Sequence, residues 1–201
     1  MTENDAAEDR QTMDSQAPDR RTQILHATVD LLLENGLAAT RTRAVTERSG
    51  VGTGLLNHYF RWNDLRAAAW KLIFDEVAKD TFAPGLPPDQ VMDRYFADAF
   101  APEAERFWRL WLEATELAKQ DEAIARVLGE AQTRMDSALC DVLTAGQAAG
   151  LWTLADPYAT ATRLGALHDG LAGLLLSGSQ RLTRAAAEAH LRHLFALECA
   201  G

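Results

Sequence analysis

The chain has 201 residues, 47% of them apolar and 24% charged, enough to bury one substantial core in an ordinary globular composition. Its formal net charge of −9 argues, taken whole, against a polyanionic partner, and its richest apolar run, Gly170–Gly178, falls well short of the roughly 20 residues a membrane-spanning helix needs. The two cysteines, Cys140 and Cys199, lie far apart and no apolar leader opens the chain, so a reducing cytoplasm is expected, with no disulfide framework and no membrane partner.

The charge is unevenly spread. Residues 1–20 carry a net −4, residues 21–71 a net +3 and residues 72–201 a net −8, so a basic module sits on an acidic body. That distribution suits a DNA-binding head on a larger regulatory domain. Residues 1–18 are polar and acidic without apolar period, which predicts a disordered acidic tail.

From Asp19 the pattern turns helical. Ile24, Leu25, Thr28, Leu31 and Leu32 share one face, and Gly36 supplies a stop. Two short helices are expected at Thr42–Arg48 and Gly52–Tyr59, followed by a longer one, capped by Asn63, to about Lys79. Asp80–Gln90 holds three prolines and a glycine and breaks the pattern. Beyond it, helices are expected over Asp89–Phe100, Pro102–Lys119, Asp121–Ala149, Asp156–Ser177 and Thr183–Cys199. No run alternates like a strand, so the fold class is all-α.

The stretch "GVGTGLLNHYF", Gly50–Phe60, carries three glycines on alternate positions. It lacks the four-residue gap and Gly-Lys-Ser/Thr ending of a phosphate loop, and the sixth position of a dinucleotide fingerprint is Leu55 or Asn57 rather than glycine. A helix-turn-helix makes other demands, and these are met. Gly50 makes the turn, Val51, Leu56 and Phe60 point in, and Thr53, Gly54, Asn57 and His58 point out, where Gly54 leaves room and Thr53 and Asn57 reach base edges. Thr42 is expected to cap the preceding helix, and Arg41, Arg43, Arg48, His58 and Tyr59 to meet phosphate.

Arg21–Phe60, with its "RxxIL" opening, the "ENG" stop, Thr40, the "SGV" turn and the "HYF" ending, resembles the DNA-binding head of the TetR family of transcriptional regulators. "GTGLLNHYF" and "LGALHDGL" (Leu164–Leu171) are most similar to its choline-responsive, BetI-like branch. The resemblance implies DNA contacts at Thr42, Arg43, Thr53, Gly54, Asn57, His58 and Tyr59. Relatives usually carry lysine where this chain has Asn63, preceded by an unusual Trp62, and Leu65 falls one position earlier after Phe60 than its counterpart does.

Most large aromatics follow the head. Trp70, Phe74, Trp108 and Trp111 suit either core packing or the wall of an effector cavity, and a cage of such rings could hold a quaternary ammonium ion. His168, beside Asp169 in an apolar helix, is either a satisfied core histidine or a ligand anchor. The last two helices offer Gly165, Gly173, Leu191, Leu194 and Phe195 as a four-helix dimer interface, which the resemblance also implies. His190 and His193 have no third metal ligand near in sequence, and no "GxSxG" or "HExxH" is present, so neither a metal, a cofactor nor an enzyme is expected.

The expected architecture is therefore an acidic tail (1–18), a three-helix helix-turn-helix head (19–62) and a C-terminal helical ligand-binding and dimerisation body (63–201). The expected function is that of a homodimeric repressor, released from a palindromic double-stranded DNA operator by a small-molecule effector. The alternative is a small-molecule-binding helical protein with weakened or lost DNA binding.

Overall fold

The computed structural model describes residues 19–200, and the tail expected at 1–18 lies outside them. The described residues form nine α-helices and no strand. Helix α1 (Arg20–Asn35) buries Ile24, Ala27, Thr28, Leu31 and Leu32, and the Thr28 hydroxyl bonds back to the Ile24 carbonyl at 2.8 Å. It stops at Gly36, whose φ of 85° lies in the region open to glycine. Helix α2 (Thr42–Ser49) ends on Gly50 in the left-handed conformation, and the turn leads into α3 (Thr53–Tyr59). Val45, Val51, Leu56, Phe60 and Leu65 close over Ile24 and Leu31 in one small core.

Two expected caps are corrected. The N-cap of α2 is Arg41, which is extended, so Thr42 is already the first helical residue and makes no capping bond. Helix α4 (Trp62–Thr81) likewise starts after extended Arg61, leaving Asn63 inside the first turn, where its Oδ1 accepts from Arg66 at 3.1 Å. This early start places Leu65 in the head core, fully buried.

Helix α4 joins head to body. It packs on both α1 and α7 (Glu122–Ala148), and its Trp70, Ile73 and Phe74 share a core with Leu32 and Leu37 of the head. The body adds α5 (Pro88–Ala99), a 3-10 turn at Pro102–Ala104 where an α-helix was expected to begin, α6 (Glu105–Leu117), α8 (Pro157–Leu176) and α9 (Arg184–Ala200). Asp121 caps α7 by accepting from the Ala123 and Ile124 N–H groups at 3.0 and 3.3 Å, and Asp156 and Thr183 cap α8 and α9 in the same manner. At the far end of α7 a Cβ on Gly146 would come within 1.8 Å of the Trp152 ring, so glycine is what lets the indole lie across the helix and donate to the Leu143 carbonyl.

Candidate DNA-binding face and effector cavity

On the head, Thr53, Gly54, Asn57 and His58 are exposed on one side of α3, opposite buried Leu56. Tyr59 is half-buried with its ring 5.2 Å from that of His58, and a Cβ at Gly54 would meet nothing. Leu55, 39% exposed on the same short helix, escaped the sequence reading because leucine there reads as core. Arg43 stands out from α2 with its side chain 89% exposed, holding Glu47 at 2.7 Å. An ion pair this open to water is easily exchanged for a phosphate. Thr42 is half-buried at the start of α2, and Asn63 is exposed but occupied by Arg66.

In the body, α4 to α8 line a partly open cavity of about 590 Å³. Phe74, Trp108, Trp111 and His168 line it, as do Phe82, Tyr95 and Phe107. Trp70 does not. It is fully buried behind Phe74 and Trp111, with ring centroids 4.3 and 5.6 Å away, and its indole N–H donates to the Leu110 carbonyl at 3.1 Å.

The polar lining is acidic. Asp80, Asp98, Glu103, Asp136 and Asp169 face one basic residue, Arg94, which already pairs with Asp98 at 3.3 Å. Asp169 is accessible from inside the hollow yet largely surrounded by protein; that desolvation pushes its carboxyl up to about 6, against a hydrogen bond from Trp111 and aided by nearby Asp136. Burial also raises Asp136. His168 moves the other way, down to about 4 through burial, so it is neutral at pH 7, and its Nε2 is buried without a hydrogen-bond partner.

The Asp169 shift fixes the sign of a stability change. Its folded pKa of about 6 exceeds the unfolded 3.8, so the stability it contributes is present below about 3.8 and is lost as pH rises through 6. Asp169→Asn is therefore expected to melt higher than the parent at pH 7.5, with the gain shrinking toward pH 4. A thermal melt at the two pH values checks it.

The residues expected at a dimer interface fall in different places. Leu191 is fully buried inside the protomer, which corrects its assignment to an outer face. Gly165 lines the cavity, and Phe195 packs on Phe96 and Trp152 at 5.6 and 5.3 Å. Leu194 and Gly173 are half-buried. The exposed large apolar side chains on α8 and α9 are Tyr158, Leu174 and Leu197, at 65%, 51% and 57%.

Two contacts tie the cavity wall to the head. Helix α6, which carries Phe107, Trp108 and Trp111, also carries Glu113, whose carboxylate accepts from the Leu37 and Ala38 N–H groups just past α1. It fills the space where a side chain on Gly36 would stand. Arg66 of α4, its guanidinium 5.6 Å from the Trp62 ring, donates to Asp121 at 2.9 Å in a pair only 13% and 4% exposed. Nothing in the sequence marked either carboxylate.

Among the described residues no group of three His, Cys, Asp or Glu side chains could hold a metal ion, and no helix is long and apolar enough to cross a membrane. A basic-edged helix-turn-helix on a helical body with an aromatic-lined cavity defines the class: a DNA-binding regulator with a ligand site. The family model described as bacterial regulatory proteins, tetR family, matches residues 24–62, and that described as BetI-type transcriptional repressor, C-terminal, matches residues 88–200. The chain belongs to the TetR family of transcriptional regulators, in its BetI branch.

Among solved structures, a TetR-family regulator from Rhodococcus sp. is 27% identical, over 91% of this chain and 100% of its own, with a TM-score of 0.72. A transcriptional regulator from Saccharomonospora viridis in complex with choline is 19% identical over 90% and 97%, with a TM-score of 0.75. One from Pseudomonas aeruginosa PAO1 is 22% identical over 93% and 94%, with a TM-score of 0.72. The last two likenesses speak to the fold alone. No curated protein matches the chain. Regulators of the family bind DNA operators and small-molecule effectors and act as dimers.

Proposed function

We propose that the chain is a cytoplasmic homodimeric repressor that leaves a near-palindromic operator when an effector fills the body cavity. The observation that carries this reading is an exposed polar face on α3 in the same chain as a 590 Å³ aromatic cavity, with Glu113 linking the cavity's wall to the head. Thr53 and Asn57 read base edges, Gly54 permits close approach, and Leu55 offers a contact for a thymine methyl group. Thr42, Arg43, His58 and Tyr59 position the head on phosphate, and Asn63 can donate to it through its Nδ2 amide while its Oδ1 accepts from Arg66. Two α3 helices of a dimer would enter successive major grooves about 34 Å apart.

The dimer forms through the outer faces of α8 and α9, where Leu174 and Leu197 add to Leu194 and Gly173. Head and body divide near residue 62, at the first turn of α4. Effector bound against Phe107, Trp108 and Trp111 displaces α6; Glu113 then carries the shift to the end of α1 and changes the spacing of the two α3 helices. The S. viridis regulator of this fold was solved in complex with choline, which supports a small-molecule effector as the ligand class. A ligand-binding protein without DNA binding is not favoured, because both the head and body family models match.

The test replaces Arg43 and Thr53 separately with alanine and measures affinity for an operator selected from random duplexes, across a salt series. Arg43→Ala is expected to weaken all sequences alike and to reduce the salt slope by about one unit, whereas Thr53→Ala changes base preference. Wild-type selectivity and slope in both variants would refute the assignment.

A further inference from the structure

We infer that the effector is a hydrophobic protonated amine, an N–H-bearing ammonium on an aromatic body, with its charged end between Asp136 and Asp169. The inference rests on the cavity being the effector site and names the chemistry that site selects. Three observations carry it. The hollow is of the size that encloses a drug-sized molecule, and its apolar wall is largely aromatic ring face. Five carboxylates line it against one arginine that is already paired, so an anion meets repulsion from nearly every side.

The third is the nature of the polar atoms. Asp136 stands across from Gly165, with its Oδ1 3.8 Å from where a Cβ would lie, one helical turn from Asp169. The two carboxylates share the Tyr95 neighbourhood, where burial together with both aspartates raises the phenol and keeps it neutral. His168 lines the same cavity as a neutral imidazole, with Nε2 buried and unpartnered. The site therefore has acceptors in excess of donors. An ammonium N–H satisfies them, whereas a quaternary nitrogen has no proton to give.

Isothermal calorimetry at pH 7.5 on the full chain, with four probes of one shape, tests this. The probes are 4-(4-biphenylyl)butylamine, the corresponding alcohol, the corresponding butanoate and the N,N,N-trimethylammonium analogue. The amine is expected to bind about ten- to a hundredfold more tightly than the alcohol, the butanoate not at all. In Asp169→Asn and in Asp136→Asn the ratio of amine to alcohol affinity is expected to fall toward one, a ratio that a general loss of folding would not produce. Alcohol, butanoate or trimethylammonium binding as tight as the amine, no amine binding, or an unchanged ratio in both variants would overturn the inference. A chain that binds its operator but no amine loses this inference alone, and one that binds the amine but no DNA loses the regulator assignment alone.

Discussion

Asp121→Ala is expected to lower stability by about 3 to 5 kcal/mol, because it breaks a buried ion pair at the head–body joint. Asp121 is 5% exposed and does two things at once: it caps α7 through the Ala123 and Ile124 N–H groups, and it meets the Arg66 guanidinium. Alanine would remove the cap and leave a buried cation, one whose Nε already has no partner. The loss is attributed to the orphaned charge, not to any large net gain from the pair, since apolar replacement of both partners of a buried pair is often neutral. Asp121→Ala combined with Arg66→Met is therefore expected to be more stable than Asp121→Ala alone. Urea unfolding followed by circular dichroism measures both, and a double variant weaker than the single would contradict the account.

Glu113→Ala is expected to uncouple the two ends of the molecule. Apo protein should still hold its operator, while the ligand-induced loss of operator affinity, about 5- to 150-fold for a typical coupling, shrinks to within about threefold. The reason is positional. Glu113 is the residue of α6 that bonds to the head, and its neighbours Trp111 and Leu112 line the cavity. Operator anisotropy with and without 4-(4-biphenylyl)butylamine reads the coupling. Amide exchange at Leu37 and Ala38, whose acceptor is removed, reads the same contact without any ligand and should quicken; retained coupling with quickened exchange would assign transmission to α4 instead.

Much of this architecture was legible from local signals. Gly36 and Gly50 take positive φ at the stop and the turn that the sequence marks, and the inward set Val51, Leu56 and Phe60 follows from helical period alone. The polar face of α3 was legible for the same reason. The joints were not. Glu113 bonds to residues 76 and 75 positions away and Arg66 to one 55 away, and a carboxylate on a helix reads as solvated surface until the chain is folded. Asp136 was hidden in the same way, whereas Asp169 was noticed because its helix is otherwise apolar. Trp70 and Leu191 were misplaced because periodicity says which face is apolar but not which neighbour covers it.

The Trp62 and Asn63 departure from the family pattern has a use in the folded chain: Trp62 lies over Arg66, and Asn63 accepts from it. The five tryptophans are thereby distributed over separate stations: Trp62 at the head joint, Trp70 behind the cavity, Trp108 and Trp111 on its wall, and Trp152 across the far end of α7. The molecule thus carries intrinsic optical reporters along the route from ligand to DNA. Variants that keep one tryptophan, with the other four replaced by phenylalanine, would let emission be followed at one station at a time, timing whether the wall or the joint responds first.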